Sequence, residues 1–468
     1  MANADQFHQG VTICALPDNV LLEIFNSYMG LSWDGEDGWH RLVHICQKWR
    51  CIVFASPRRL GLQLLCTDKR PVKELLNVWP PLPIVIRGHR AMLLSQLQDA
   101  GNIIATLEHP ERIHRIDLNG IPSGHPLLTK IRAMKEPLPS LTYLSFGSCS
   151  KMEPILPDSF LGAYAPLLQT FRLDGIPFPA LGKLLLSTGG LVTLVLQRIP
   201  QSGYIAPKAM IAVLSTLPKL DWFELGFLSP RPPADRASQY TPPLTHIILP
   251  TLTTFLFKGD SEYLEEFLSQ IDPPLLSFTG ITFFNQLLFD TPLLRQFIHR
   301  TQLSKAPQQA NISFHDNGAY LSLSRPNGIT NTIQTTLRFQ VLCRPSDWQL
   351  SSLAQVCSSF LPPIPTLVRL QIDQYRQHWE DDIENIQWLE LLQPFAFVEG
   401  LTLWNRTVGF VAPALQEFTG GGATDVLPAL QDIVIRGPEP LGPIYEAIEK
   451  FVSPRQLSGH LIATFYAY

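Results

Sequence analysis

The chain is 468 residues long, with hydrophobic residues at 45% and charged residues at 16%, the latter below the usual share of about 25%. Lys and Arg total 36 against 40 Asp and Glu, a formal net charge of −4, which offers no electrostatic footprint for a polyanion or an anionic membrane surface. The apolar content argues against disorder over most of the chain, and the 41 prolines, against roughly 5% on average, point to many short, punctuated elements.

Residues 1–12, MANADQFHQGVT, carry neither the basic nor the apolar region of a secretory signal and are expected to be a flexible start. The seven cysteines (Cys14, Cys46, Cys51, Cys66, Cys149, Cys343 and Cys357) are odd in number and make no CxxC pair. That is the pattern of reduced cysteines in an intracellular protein. The longest uncharged stretch, Ala237 to Phe257, contains Pro242, Pro243 and Pro250, which is unsuited to a membrane helix. A soluble intracellular protein, cytoplasmic or nuclear, is expected, and the glycosylation matches at Asn311 and Asn405 are read as chance.

The first helix is written in Leu16-Pro-Asp-Asn-Val-Leu-Leu-Glu-Ile-Phe. Proline suits a helix start because its missing N–H is not needed there, and Asp18 adds negative charge at the positive end of the dipole. Leu21, Ile24, Phe25 and Tyr28 share one face, and Gly30 is expected to end the helix. An acidic loop at 32–38 follows. A second helical pattern (Leu42, Val43, Cys46, Trp49, Val53) is ended by Ser56-Pro57.

Together, LPDNVLLEIF and LVHICQKWRCIVFASPRRL resemble the F-box, most of all the large F-box families of mushroom-forming fungi. The resemblance places this module at 13–62 and implies a three-helix fold that binds a Skp-type adaptor and, through it, a cullin scaffold. Its motif residues are Leu16, Pro17, Leu21, Ile24, Phe25, Leu42, Cys46 and Trp49, some packing the core and others inserting into the adaptor. A plain helical subdomain with no partner is the alternative. The acidic insert at 32–38 departs from the family's pattern.

Beyond residue 63 an apolar-x-x-apolar-x-apolar pattern recurs. It reads IHRIDL (113–118), LTYLSF (141–146), LQTFRL (168–173), LVTLVL (191–196), LDWFEL (220–225), LTTFLF (252–257), LVRLQI (367–372), VEGLTL (398–403) and LQDIVI (430–435). Pro139, Pro166, Pro218, Pro250, Pro365 and Pro428 precede it, and Ile121-Pro122, Ile176-Pro177 and Ile199-Pro200 follow it. Helical faces lie between: Leu127, Leu128, Ile131 and Met134; Tyr263, Leu264, Phe267, Leu268 and Ile271; Leu353, Val356, Cys357 and Phe360; Ile444, Ile448 and Phe451. Asp260-Ser261 and Ser346-Asp347 are candidate helix caps.

Strand, turn and helix at 23 to 32 residues per repeat resemble a leucine-rich-repeat solenoid, a horseshoe in which each unit buries its strand against its neighbours. The fold expected is α/β: a three-helix F-box, then an irregular leucine-rich-repeat-like solenoid over 63–468. The usual asparagine or cysteine after each strand is replaced at Ile121, Ile176, Ile199 and Leu228, with Cys149 conforming, so apolar packing is expected in place of a hydrogen-bonded ladder. The segment from Thr67 to Gly88 reads as a degenerate first repeat. The pattern blurs at about 275–366, where ISFHDNGAYLSLS and TTLRFQVLC read as two extended strands, either a distorted repeat pair or an inserted hairpin.

Residues alternating with the buried positions would line a concave face. They are Arg115, Asp117, Asn119, Tyr143, Arg172, Asp174, Trp222, Glu224, Lys258, Arg369, Asp373, Trp404, Asp432 and Arg436, the candidate surface for a target protein. The row mixes both signs of charge and so specifies no strongly charged ligand.

There is no P-loop, Gly420-Gly-Gly-Ala lacks a lysine, and no GxSxG occurs. His40 and His44 have metal-ligand spacing without the HExxH glutamate and fall inside the F-box-like segment. The acids of Trp379-Glu-Asp-Asp-Ile-Glu suit a helix start. The expectation is a non-enzymatic substrate receptor of an SCF-type ubiquitin ligase, with no cofactor, no metal, and no nucleic-acid or membrane partner. A solenoid interaction protein acting outside ubiquitination, and a hydrolase with scattered catalytic residues, are the rivals.

Overall fold

The computed structural model describes residues 13–31, 38–67, 76–77, 79–88, 101–122, 124–148, 155–230, 246–286, 288–301, 307–326, 333–361, 364–375, 384–417, 426–437, 442–457 and 459–467. The chain divides into two compact units, Met1–Phe171 and Arg172–Tyr468. Among the described residues, no helix is long and apolar enough to cross a membrane.

The first unit opens with three helices, α1 (Asp18–Leu31), α2 (Gly38–Val43) and α3 (Gln47–Ala55). Pro17 stands one residue before α1, and its carbonyl accepts the N–H groups of Val20 and Leu21. Helix α1 runs one residue past Gly30, which therefore does not end it. The pattern from Leu42 to Val53, read in the sequence as one helix, is two. Cys46 is fully extended (φ −158, ψ 168), which breaks the helical run between α2 and α3. Most of the acidic insert lies outside the described residues, but its flanking Trp39 is fully buried and donates to Gln63 O at 2.9 Å. His40 stacks on Trp39 at 3.7 Å, and Trp79 packs edge-on against Trp39, His40 and His44. The two histidines thus belong to an aromatic cluster.

Four strands of this unit pair in parallel: β1 (Leu64–Cys66), β2 (Ile84–Arg87), β3 (Ile113–Ile121) and β4 (Tyr143–Ser148). Of the segment from Thr67 to Gly88, β2 is in place as a strand, paired in parallel with β1 and β3. Helices 101–106 and 126–132 pack beside them, and Leu127, Leu128 and Ile131 are buried while Met134 lies beyond the second helix. Strand β5 (Thr170–Asp174) straddles the division between the units.

In the second unit, parallel strand and helix alternate through β6 (Thr193–Ile199), β7 (Trp222–Phe227), β9 (Thr254–Gly259) and β11 (Phe278–Phe284). A side pair, β8 (Ile247–Ile248) with β10 (Ile271–Asp272), lies off the main sheet. The alternation resumes with β15 (Arg369–Gln374), β16 (Gly400–Trp404), β17 (Asp432–Arg436) and β18 (Ala463–Ala467). The helices 207–214, 261–268, 292–300, 346–360, 385–392, 405–417 and 442–457 form one layer, each packed on the next.

All nine predicted strands are present, and eight begin two residues inside the six-residue pattern. The pattern's first residue is buried in a turn that precedes the strand, as Leu141, Leu220, Leu252 and Leu430 illustrate. Their N–H groups bond the carbonyls of Leu138, Leu217, Leu249 and Leu427, three residues earlier. A backbone ladder joins the strand starts. Asp221 O accepts from both Thr253 N and Thr254 N, Thr253 O from Ser277 N and Phe278 N, and Glu399 O from Gln431 N and Asp432 N. Apolar packing at the strand ends holds at Ile121, Ile176 and Ile199, which are buried, but not at Leu228, which is exposed. Cys149 lies outside the described residues.

The blurred region is a three-stranded meander, one strand more than the two read in the sequence. ISFHDNGAYLSLS is itself a hairpin, β12 (Gln309–His315) and β13 (Gly318–Pro326), and TTLRFQVLC lies in β14 (Ile333–Leu342). The meander sits inside the sheet in the order β11-β14-β13-β12-β15. Both outer strands run parallel to their flanking neighbours. An odd number of strands is what allows this, because the antiparallel reversal cancels and the repeats resume in the original direction.

Of the predicted caps, Asp260 occupies the capping position of helix 261–268 without a side-chain capping bond, whereas Ser261 N and Oγ bond Gln286 Oε1. Helix 346–360 has Pro345 at its cap, so Ser346 and Asp347 fall in its first turn. Glu380, Asp381, Asp382 and Gly420 lie outside the described residues, whereas Glu384, the last acid of that cluster, occupies the capping position of helix 385–392.

Candidate functional site

The eight F-box-like residues separate into two groups. Leu21, Phe25, Leu42 and Trp49 form the core of the three helices, with Leu21 and Phe25 at 0% exposure and the Phe25 and Trp49 rings 4.6 Å apart. Their burial gives these four the core role, which the sequence left open between core and adaptor contact. Pro17 and Ile24 are exposed, and Leu16 and Cys46 are half-buried. Two residues absent from the sequence reading extend the exposed set, Val20 at 39% and Ile45 at 56%. Lys48 of α3 donates to Leu16 O at 3.0 Å and lies 3.5 Å from Asp18, which draws the turn at Ile45 and Cys46 to the start of α1. The outcome is four exposed apolar residues on the helical head, Pro17, Val20 and Ile24 along α1 and Ile45 in the turn before α3. Val20 and Ile24 are four apart on a face about 100° round the helix from Leu21 and Phe25, so the apolar pattern ran across both faces and did not separate them.

On the strand face of the first unit, Arg115, Asp117 and Tyr143 come together. Arg115 Nη2 lies 3.0 Å from Asp117 Oδ2, its guanidinium sits 3.7 Å over the Tyr143 ring, and Asn119 Nδ2 donates to Asp117 at 2.8 Å. Close packing enforces this. A Cβ on Gly147 would stand 2.9 Å from Asn119 Oδ1.

In the second unit, Arg172 is exposed and Asp174 pairs with Arg198. Glu224 is held by Gln197 Nε2 at 2.6 Å, beside the half-buried Trp222. Lys258 lies 5.6 Å over the Phe284 ring, and burial, then the nearby Arg198 charge, push its pKa down.

Lys258 begins a straight polar row. It pairs across the strands with Thr282, then Gln340, Tyr320 and Ser313, and Ser313 pairs with Asp373. Trp404 and Arg436 pair one step further, and Arg436 lies 5.9 Å over the Trp404 ring. The row crosses eight strands, roughly 34 Å at about 4.8 Å between strands. Thr282 donates to Gln340 at 3.3 Å and Gln340 to Tyr320 Oη at 2.6 Å. Above it, His315 packs edge-on to Tyr320 at 4.7 Å and stacks on the exposed Tyr375 at 4.8 Å.

Asp373 is 3% exposed. Gln371 Nε2 donates to its Oδ2 at 2.9 Å, and its Oδ1 has no donor among the described residues. Burial pushes its pKa up, opposed by the Gln371 bond and the Arg436 charge. Tyr375 is raised by burial and then by Asp373, and His315 is lowered by burial against the pull of Asp316. Arg369 is exposed at the start of β15 and lines a cavity of about 260 Å³ with Gln308, Ser324 and Ile333. Asp432 is half-buried at the start of β17.

Thr282, Phe284, His315, Tyr320, Gln340 and Tyr375 were missed because they fall in or beside the blurred region. Asp316-Asn317-Gly318 was the available signal, a hairpin turn between alternating residues. The face can hydrogen-bond and stack. Among the described residues, no group of three His, Cys, Asp or Glu stands close enough to hold a metal.

The fold is therefore a mixed α/β repeat of strand and helix with a mostly parallel sheet and an inserted meander. No protein-family model matches the chain, and no curated protein matches it. Among solved structures it is similar to the leucine-rich repeat-containing protein LegL7 from Legionella pneumophila. The identity is 12%, the match covers 71% of this chain and 97% of that one, and the TM-score is 0.28.

Proposed function

We propose that this chain is a substrate receptor of an SCF-type ubiquitin ligase, its helical head an F-box that binds a Skp-type adaptor and its leucine-rich-repeat-like strand face a surface for a target protein. The observation that carries this reading is the set of exposed apolar residues Pro17, Val20, Ile24 and Ile45 around a core of Leu21, Phe25, Leu42 and Trp49. Isolated exposed apolar residues are ordinary, but a row of them on a module of this size is the kind of face a partner completes. Catalysis belongs to the partner enzymes, and the receptor supplies proximity and orientation. It works in the cytosol or nucleus, needs no cofactor, and holds its target on the row from Lys258 to Arg436.

The test is co-purification with a Skp-type adaptor and a cullin. Val20→Asp with Ile24→Asp leaves the core intact and is expected to abolish adaptor capture. Capture that survives this pair defeats the proposed interface. Adaptor without cullin would assign the chain to an F-box role outside ubiquitination.

A further inference from the structure

Where β12 and β15 begin and β13 ends, the sheet forms the cavity of about 260 Å³ that Arg369 lines. Its wall is pinned by backbone. Gln308 O accepts from Val368 N and Arg369 N, each at 3.1 Å, and Gln308 N donates to Ser324 O at 2.9 Å. Register then sets the side chains. Arg369 pairs with Gln309, and Gln309 with Ser324. Arg325 follows Ser324 at the end of β13 and lines the same cavity.

Two guanidinium groups thus line one concavity that no acid lines. Among the described residues, neither Arg325 nor Arg369 is ion-paired. Asp432 shares the row of Arg369 but stands two strands away, beyond Gly400. Like charges placed together without a counter-charge repel, and an anion held between them relieves this. A guanidinium is a planar fork that fits a carboxylate with two parallel bonds. Gln308 and Gln309 also line the cavity, and their amides both donate and accept, as a peptide unit requires. The exposed Ile333 adds an apolar wall. Charge, amides and apolar wall together fit the carboxylate end of a peptide better than a bare inorganic anion.

The cavity also adjoins the target surface. Side chains alternate along a strand, so Arg369 shares a face with Asp373, four residues on. The separation is roughly 13 Å at about 3.3 Å per residue, a distance that about four residues of extended peptide span.

We propose that this cavity binds the C-terminal carboxylate of the target chain through Arg325 and Arg369, with the preceding residues laid along the strand face. The proposal rests on the receptor reading for the ligand being a target protein. Isothermal titration of the full chain with acetyl-Gly-Ser-Gly-Ala-Leu tests it. The free-acid peptide is expected to bind, and its C-terminal amide to bind about tenfold more weakly or worse, the worth of a charged hydrogen bond. Arg325→Gln with Arg369→Gln is expected to lose about as much, with an unchanged circular dichroism spectrum and melting temperature. Equal binding of acid and amide, no binding of either, or binding kept by the double variant overturns the proposal. So does inorganic phosphate binding as tightly as the peptide, or an amidated peptide with an internal glutamate doing so. Adaptor capture is read on the same proteins. Capture without peptide binding defeats this site alone, and peptide binding without capture defeats the receptor reading alone.

Discussion

The carboxylate of Glu265 closes the start of the neighbouring repeat helix, accepting Leu294 N on Oε1 and, beside it, Leu293 N on Oε2, each at 2.8 Å. Four N–H groups at any helix start lack an internal partner, and here the previous helix supplies the acceptor. The charge sits at the positive end of the dipole, which favours it further.

Glu265→Ala removes that cap and is expected to cost about 1–2 kcal/mol, the usual range for a lost N-terminal cap. Glu265→Gln keeps one acceptor and should lose less. Chemical denaturation of the three proteins measures the order.

Asp373 gives a pH dependence. Its folded pKa is raised above the unfolded value, chiefly by burial, so the folded chain holds this proton to higher pH. The stability it contributes is present below the ordinary aspartate range and is lost as pH rises through the folded value. Asp373→Asn should therefore raise the melting temperature relative to wild type at neutral pH, with the gain shrinking in acid. A gain that grows in acid would reverse the assigned sign.

Gly318 opens β13 where a Cβ would lie 2.2 Å from Val341 O. The neighbour is backbone inside the meander, so it cannot swing aside. Gly318→Ala is expected to destabilise by about 3 kcal/mol, at the upper end for overpacking, read as a lowered denaturation midpoint.

Gly120, Gly175 and Arg198 occupy the same place before Ile-Pro in three repeats, and all have positive φ, at 73°, 68° and 47°. Glycine takes this conformation freely, whereas an L side chain is strained by about 1–2 kcal/mol. Gly175→Ala should destabilise by roughly 1 kcal/mol, and Arg198→Gly should be neutral or slightly stabilising. The lost Asp174 pair is exposed and worth little. Melting curves of both variants check the opposed signs.

Much of this fold was readable in the linear chain. The nine strand patterns and the buried faces of several helices rest on short-range periodicity, which a local apolar spacing states directly, whereas the place of each pattern's first residue in a turn did not follow from it. The candidate site was readable in part. Lys258, Asp373, Trp404 and Arg436 followed from alternation along regular repeats, whereas His315, Tyr320 and Gln340 did not, because the meander interrupts the repeat that would have numbered them.

By itself, then, the sequence determined which residues of the regular strands alternate in and out, the apolar faces of several helices, and that an F-box-like pair of segments precedes a strand–helix repeat. Tertiary structure alone decided that Leu21 and Phe25 are core while Val20 and Ile24 face outward, and that α2 and α3 are separate. It also decided that three strands enter the sheet with the middle one reversed, and that Lys258 and Arg436 end one row. The reason is physical. Periodicity is set within a few residues, but strand order, register and exposure are set by hydrogen bonds and burial between segments far apart in the chain.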